Sequence, residues 1–218
     1  MMRAAVLGVA ILASASSQSG SSVERTMLLD NASIAIERVH LASGASQRLP
    51  SIDAPALIVQ LTAGDIDLTI GDKRASGPRE AGAIAFVPAR TPQSARNIAQ
   101  RGATDVIVIR FKPGRAPAPS MPSVDAPPGV TRTPLLDNAD TRVVLVRFAP
   151  DGREPVHTHP YDLIVLQISA GRVESVDGDA KTTENRDPGF VKFVPRDRPH
   201  AYASADAKAF DILSVALK

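Results

Sequence analysis

The pattern of apolar and polar residues along the chain predicts short β-strands. Residues 66–70 alternate between apolar and polar side chains, which is typical of a strand with one buried face. Residues 57–59 and 164–166 are continuous apolar runs, which favour strands that are buried on both faces. Because no long segment of the expected mature chain has a 3.6-residue periodicity, we expect an all-β fold.

The sequence also contains an internal duplication with an offset of 107 residues, which brings residue 26 onto residue 133. Four pairs of segments match at this offset: 26–32 with 133–139, 60–64 with 167–171, 71–72 with 178–179, and 82–88 with 189–195. Four matches in one register are not expected by chance. The chain is therefore predicted to contain two similar domains, residues 26–112 and 133–218.

Glycine and proline mark the connections in this scheme. Residues 113–132 are rich in proline, alanine, glycine and serine and are interpreted as a linker between the copies. Gly71 and Gly178, each followed by aspartate, and Gly64 and Gly171 lie where hairpins are expected to turn. Copies of this length with short strands are typical of a small barrel, and a pair of immunoglobulin-like domains is the alternative.

The N-terminus indicates export. Arg3 precedes an uninterrupted run of small apolar residues at 4–13, and residues 13–15 (Ala-Ser-Ala) fit the small-x-small cleavage pattern. This run is too short to span a membrane, which requires about 20 residues in helical form. We therefore predict a signal peptide at residues 1–15, no membrane anchor, and a periplasmic or secreted mature protein.

Composition limits the classes of function. The formal net charge is only +2 and there is no run of lysine and arginine, so a small molecule is a better candidate partner than nucleic acid. The chain has no cysteine, which excludes disulfides, thiolate metal sites and cysteine nucleophiles. A metal ion must therefore be held by histidine and carboxylate, and the chain has four histidines.

Three of these histidines are spaced as metal ligands in the second copy. His157 and His159 are alternate residues of an extended segment, so their side chains share a face. His200 follows a predicted strand at 190–194 and a short turn, from which it can reach the same cavity. Three neutral imidazoles leave coordination positions open for water, dioxygen or substrate. His40 has no such partner and is interpreted as an ordinary strand residue.

The surrounding motifs resemble those of the cupin superfamily. Residues 152–171, which begin and end with glycine and contain the His-Thr-His triplet, resemble the first cupin motif. Residues 189–200, which end at the third histidine, resemble the second. The resemblance covers both copies and implies a bicupin, two tandem jelly-roll β-barrels. It also implies that His157, His159 and His200 bind one divalent transition metal ion.

The chain departs from the cupin pattern in its first motif. That motif usually supplies a glutamate seven residues before its closing glycine, and Ile164 occupies this position. The spacing from Gly152 to His157 is also one residue short. Asp162 is expected to share the face of Ile164, which makes it a candidate fourth ligand or an acceptor that orients a histidine.

The first copy lacks an equivalent set of ligands. At the same offset, Pro50, Ile52 and Gln93 replace the three histidines, and Leu57 matches Ile164. The first barrel is therefore expected to be structural or to bind an apolar ligand without metal.

Two classes of function remain open. The resemblance implies a small-molecule dioxygenase if the metal is iron, or isomerase or lyase chemistry with manganese, zinc or nickel. Tyr161 is the candidate substrate contact, and Tyr202 is a second one. The alternative is a non-catalytic exported protein that binds a metal or a small ligand, or has a structural role. The sequence does not predict the oligomeric state.

Overall fold

A computed structural model describes residues 22–49, 53–114 and 126–218. All regular structure within these ranges is β, as predicted, and they contain no helix with the length and apolarity needed to cross a membrane. The signal peptide predicted at residues 1–15 and most of the predicted linker lie outside the described residues.

The two copies are built from matching series of strands. The strands of the first copy are β1 (Val23–Asp30), β2 (Ile34–Leu41), β3 (Ser46–Leu49), β4 (Ala56–Gln60), β5 (Gly64–Ile70), β6 (Lys73–Arg79), β7 (Ile84–Val87), β8 (Gln93–Asn97) and β9 (Thr104–Phe111). Those of the second copy are β10 (Val130–Asp137), β11 (Thr141–Phe148), β12 (Leu163–Gln167), β13 (Gly171–Asp177), β14 (Ala180–Arg186), β15 (Val191–Val194), β16 (His200–Ser204) and β17 (Phe210–Leu217). The apolar and alternating runs noted in the sequence fall within β4, β5 and β12. Strand β10 begins at Val130, inside the segment interpreted as linker.

Corresponding strands occupy corresponding places in the sheets. The first copy has a five-stranded sheet, β1-β2-β9-β4-β7, and a four-stranded sheet, β3-β8-β5-β6. The second has a five-stranded sheet, β10-β11-β17-β12-β15, and a three-stranded sheet, β14-β13-β16. Two isolated bridges, Arg153 with Ala203 and His157 with His200, replace the pairing that β3 makes with β8. Each copy is therefore a two-sheet jelly-roll barrel.

Strand β12 shows why the chain has continuous apolar runs. Leu163 and Val165 face the interior of the second barrel, where they join its core. Ile164 and Leu166 face the other way, into a core that contains residues of both barrels. Successive residues of a strand point to opposite faces, so a strand buried on both faces has no polar positions.

This shared core joins the five-stranded sheets face to face. Its buried residues are Ile34, Ile36, Leu57, Val59, Leu61, Ile107, Ile109 and Phe111 from the first copy, and Val143, Ile164, Leu166, Ile168, Leu213, Val215 and Leu217 from the second. A Cβ on Gly82 would lie 3.5 Å from Ile168, and one on Gly189 would lie 3.0 Å from Leu61. Because these contacts exchange corresponding residues, the barrels pack like the subunits of a two-fold symmetric dimer.

Two of the four predicted turn glycines lie in turns. Gly71 and Gly178 have φ values of +61° and +62° between the strands of a hairpin, a conformation that glycine adopts without strain. Gly64 and Gly171 are instead the first residues of β5 and β13. A Cβ on Gly171 would lie 2.7 Å from that of Phe210, so this glycine is required by close packing and not by a turn.

Candidate metal centre

The structure brings the three predicted histidines together inside the second barrel. His157 and His200 form a two-way backbone bridge, with N–H to carbonyl distances of 3.0 and 2.9 Å. His159 follows two residues after His157, so its side chain extends on the same side of the chain. One ring nitrogen from each histidine lies within 4.8 Å of the other two. The three rings therefore form one cluster of nitrogen ligands.

Backbone carbonyls orient two of the rings in the same way. The Nδ1 atom of His157 lies 2.9 Å from the carbonyl oxygen of Pro155, and that of His200 lies 3.0 Å from the carbonyl oxygen of Arg198. A carbonyl only accepts hydrogen bonds, so each Nδ1 carries the proton. Each Nε2 atom therefore presents a lone pair, which is the form in which histidine binds a metal.

The Nε2 atoms of His157 and His159 are 3.1 Å apart. Two nitrogens bound to one ion at about 2.1 Å and at right angles are about 3.0 Å apart. The observed separation therefore fits a shared ion. Without an ion, the same separation is a hydrogen bond in which His159 Nε2–H donates to His157. Either way, the lone pair of His157 points into the cluster.

Burial keeps two of the three histidines, His159 and His200, neutral. It lowers the pKa of His159 to about 4, and the neighbouring His157 and His200 lower it further in the same direction. Burial also lowers the pKa of His200. Imidazole must lose its second proton before it can bind a metal. At neutral pH these two histidines are therefore ready to act as ligands.

A cavity of about 460 Å³ lies beside the histidines, within the second barrel. Its size is in the range of about 300–1,000 Å³ that is typical of small-molecule sites. Val144, Val165 and Ile212 contribute to an apolar wall, and Arg132 and Arg142 also line the space. An apolar cavity with a few converging polar groups is suited to holding and orienting a small ligand.

Tyr161 and Tyr202 both line this cavity. The ring of Tyr161 stacks on that of His159, with centroids 4.9 Å apart and an interplanar angle of 23°. Burial raises the pKa of Tyr161, and raises that of Tyr202 to about 12. Both phenols are therefore protonated at neutral pH. Tyr161, the candidate substrate contact, lies next to a histidine of the cluster.

Asp162 does not join the histidine cluster. Its Oδ1 atom accepts a hydrogen bond from the backbone N–H of Arg196 at 2.9 Å and lies 3.8 Å from the guanidinium of that residue. The two-residue spacing predicts that Asp162 shares the face of Ile164, and Ile164 lies in the core between the barrels. That face therefore points away from the histidine cluster, and Leu163 is the residue that faces the cavity.

Gln93 occupies the place of His200 in the first barrel, where it is also the first residue of its strand and is buried. Its partner in the ladder is Leu49, whereas the partner of His200 is His157. The ladder therefore aligns His157 with Leu49, one residue away from the offset of 107. Pro50 and Ile52, the residues predicted to replace the other histidines, lie outside the described residues.

A bulge in the second barrel explains this shift. His157 lies four positions after Arg153, whereas His200 lies only three positions before Ala203 on the partner strand. The equivalent stretch of the first barrel, between β3 and β8, is paired in register without the extra residue. Bulges redirect side chains and often lie next to functional sites.

Sequence reasoning missed Glu154, which lies within this bulge. Glu154 is only 7% exposed and accepts a hydrogen bond at 2.5 Å from Arg132, a residue assigned to the linker. The duplication contains a signal for this pair. The same offset places Glu154 on Gln47 and Arg132 on Arg25, and those two residues are also hydrogen-bonded, at 2.7 Å.

No family model and no curated protein matches this sequence. Solved structures do match its fold. A cupin 2 conserved barrel domain protein from Leptotrichia buccalis is 15% identical, with 90% of this chain and 89% of that chain covered and a TM-score of 0.63. A salicylate 1,2-dioxygenase from Pseudaminobacter salicylatoxidans is 10% identical, with coverages of 84% and 70% and a TM-score of 0.64. An oxalate decarboxylase from Bacillus subtilis with Mn(II) centres is 14% identical, with coverages of 85% and 69% and a TM-score of 0.62.

Proposed function

Because the chain has the two-barrel cupin fold that its motifs predicted, we propose that its second barrel is a metal-dependent site for a small molecule. The proposal is that His157, His159 and His200 bind one divalent transition metal ion. The observation that carries it is the convergence of three imidazoles, two with their Nε2 lone pairs set by backbone carbonyls, beside a cavity of ligand size.

The residues around the cluster support a chemical role. A bound divalent metal would supply Lewis acidity or a redox centre. The apolar wall excludes water from a bound ligand, and the backbone bridge between His157 and His200 holds two rings in place. The protonated phenol of Tyr161, stacked on His159, is positioned to donate a hydrogen bond to a ligand in the cavity.

We favour a small-molecule dioxygenase, with iron, or an isomerase, with manganese, zinc or nickel. The three-histidine set leaves room for ligand and dioxygen on the cavity side. Solved structures with this fold include a dioxygenase and a manganese-containing decarboxylase, so the fold is compatible with such chemistry. We further propose that residues 1–15 direct the protein to the periplasm or the exterior, as their signal-like pattern suggests.

A non-catalytic metal-binding or ligand-binding protein is the second candidate. Two observations favour it. Ile164, which stands where the first motif would supply an acidic ligand, faces the core between the barrels, and the carboxylate of Glu154 is held by Arg132. The described residues therefore place no carboxylate within the histidine cluster.

Metal analysis followed by oxygen uptake tests these alternatives. Mature protein should contain about one transition metal ion per chain, and His200→Gln should contain none, because glutamine is the residue that the first barrel carries there. Gln93→Ala is the matched control and should keep the metal. Oxygen uptake by the iron-loaded wild type with a panel of small substrates would support the enzyme. Metal binding without turnover of any substrate would support the binding protein, and wild type without metal would refute both metal-dependent readings.

A further inference from the structure

The first barrel holds a carboxylate of its own between two arginines. Arg110 donates two hydrogen bonds to Glu37, from Nη1 to Oε1 at 2.9 Å and from Nη2 to Oε2 at 2.8 Å. Arg25 donates a third, from Nη1 to Oε2 at 3.0 Å. The Glu37 side chain is 14% exposed, and Arg110 holds the pKa of its carboxyl below the usual value. This bidentate arrangement is among the stronger ways in which a protein binds a carboxylate.

The second barrel keeps two arginines at this place but not the acid. Strand pairing puts Val144 where the first barrel has Glu37, since Val144 faces Pro134 as Glu37 faces Met27. Arg132 takes the place of Arg25 at the offset of 107.

The second arginine has moved to the neighbouring strand. In the first barrel the paired residues are Ala35 on β2 and Arg110 on β9. In the second barrel the corresponding pair is Arg142 on β11 and Ala216 on β17, so alanine and arginine have exchanged places. A guanidinium is therefore present at this pair in both barrels.

The space for a carboxylate is present as well. Val144, Arg132 and Arg142 all line the cavity of about 460 Å³ that also contains the histidines. A cavity in the first barrel is only about 20 Å³, room for about one water molecule. Because Val144 is shorter than glutamate, it leaves open the space that the Glu37 carboxylate fills in the first barrel. The two arginines beside this space remain.

The two arginines have partners of their own, and the first barrel shows that this is compatible with a ligand. Arg25 binds Gln47 through Nη2 and Glu37 through Nη1 at the same time. Arg132 likewise binds Glu154 through Nη2, and the Nε atom of Arg142 lies 4.0 Å from the Oδ2 atom of Asp137. Among the described residues that line the cavity, the charged side chains are those of Arg132, Arg142 and Glu154, so the lining carries more positive than negative charge and favours an anionic ligand.

We propose that the second barrel selects small organic acids, whose carboxylate lies over Val144 between Arg132 and Arg142. The ligand would replace, from outside, the carboxylate that Glu37 supplies inside the first barrel. This inference rests on the proposed function only in that the remainder of the acid would extend towards the histidines. The carboxylate contact itself needs no metal.

The proposal is tested by measuring the binding of 4-fluorobenzoate to metal-free protein. Fluorine NMR in the presence of EDTA monitors this binding. The uncharged analogue 4-fluorobenzamide should bind to the wild type at least tenfold more weakly than 4-fluorobenzoate. Arg142→Ala should weaken benzoate binding by about 10- to 100-fold, which is the effect of losing a hydrogen bond to a charged group. Val144→Glu should abolish it, because the new carboxylate would occupy the ligand's place.

Arg147→Ala is the matched control, since it removes a positive charge from the outer face of the same strand, where Arg147 pairs with Asp211 at 2.9 Å. It should leave benzoate affinity unchanged. Equal binding of benzoate and benzamide by the wild type, or unchanged benzoate binding by Val144→Glu, would overturn the proposal. Protein that binds benzoate selectively but takes up no metal would refute the metal-dependent function alone, and the reverse result would refute this inference alone.

Discussion

The two barrels share eight corresponding strands in the same order, but their interiors differ. In the first, Glu37 and two arginines form an ion network inside the barrel. In the second, valine replaces that glutamate and a cavity opens beside three histidines. The comparison indicates that a few interior positions distinguish the barrel with the large cavity from its copy.

The residues between the barrels differ much less, because both copies have apolar, buried side chains there. Leu57 and Ile164 are both fully buried in the shared core, and the next corresponding pair, Leu61 and Ile168, is nearly so. Burial of each such side chain stabilises the fold by about 1.5–3 kcal/mol. Because this contact supports both barrels, the interior of one can contain a cavity without loss of the whole structure.

The largest effect is expected from making the second barrel more like the first. His200→Gln should reduce metal affinity by more than about 100-fold, because the loss of one of three ligands exceeds the 10- to 100-fold cost of losing an outer partner. A competition titration with a chromophoric chelator measures this loss. Gln93→Ala should give the wild-type titration curve. If Gln93→Ala lost metal affinity and His200→Gln did not, the metal site would lie in the first barrel and the proposal would be wrong.

Corresponding residues of the shared core should matter equally. Ile164→Ala and Leu57→Ala should each lower the free energy of unfolding by about 2–5 kcal/mol, because each leaves a cavity in a fully buried core. Denaturant unfolding monitored by circular dichroism measures both. Ile164→Ala should keep its metal, and loss of metal in folded protein would show that this face does reach the site.

The ion network should make the first barrel sensitive to acid. Glu37→Gln should cost about 2–4 kcal/mol at pH 7, because Arg25 and Arg110 lose a largely buried partner. The folded-state pKa of Glu37 lies below the ordinary value of 4.5, so its stabilisation is present above pH 4.5 and is lost as the pH falls towards the folded pKa.

Unfolding free energies measured between pH 7 and pH 3 test this expectation. The difference between wild type and Glu37→Gln should shrink below pH 4.5. Val144→Ala, at the matching position of the second barrel, should show the same pH dependence as wild type. A constant difference between Glu37→Gln and wild type across this range would contradict the ion-pair explanation.

Much of this architecture was predictable because it is local or repeated. The alternation at residues 66–70 and the apolar runs at 57–59 and 164–166 reflect the two faces of a strand, so they identified β5, β4 and β12. The histidine cluster was predictable because the spacing of His157 and His159 reports directly which side chains share a face.

The missed features depend on pairing between distant strands. The bulge before His157 is visible only in the bridge to His200, so the fixed offset misaligned that stretch by one residue. Likewise, Glu37 and Arg110 meet across neighbouring strands, and the sequence alone does not show this contact. Contacts of this kind require the register of the sheet, which the hydrophobic pattern leaves undetermined.

The smallest effect is expected at Asp162, an acidic residue three positions after His159. Its carboxylate accepts the backbone N–H of Arg196 and therefore holds the turn that precedes His200. Asp162→Ala should lower the free energy of unfolding by about 1 kcal/mol, the usual value of one hydrogen bond. Metal affinity should change by less than about tenfold, below the effect of removing an outer partner of a ligand. Asp162→Asn keeps an acceptor oxygen and should recover most of the stability. A complete loss of metal from folded Asp162→Ala would make the carboxylate a direct ligand, which its hydrogen bond to the backbone N–H of Arg196 argues against.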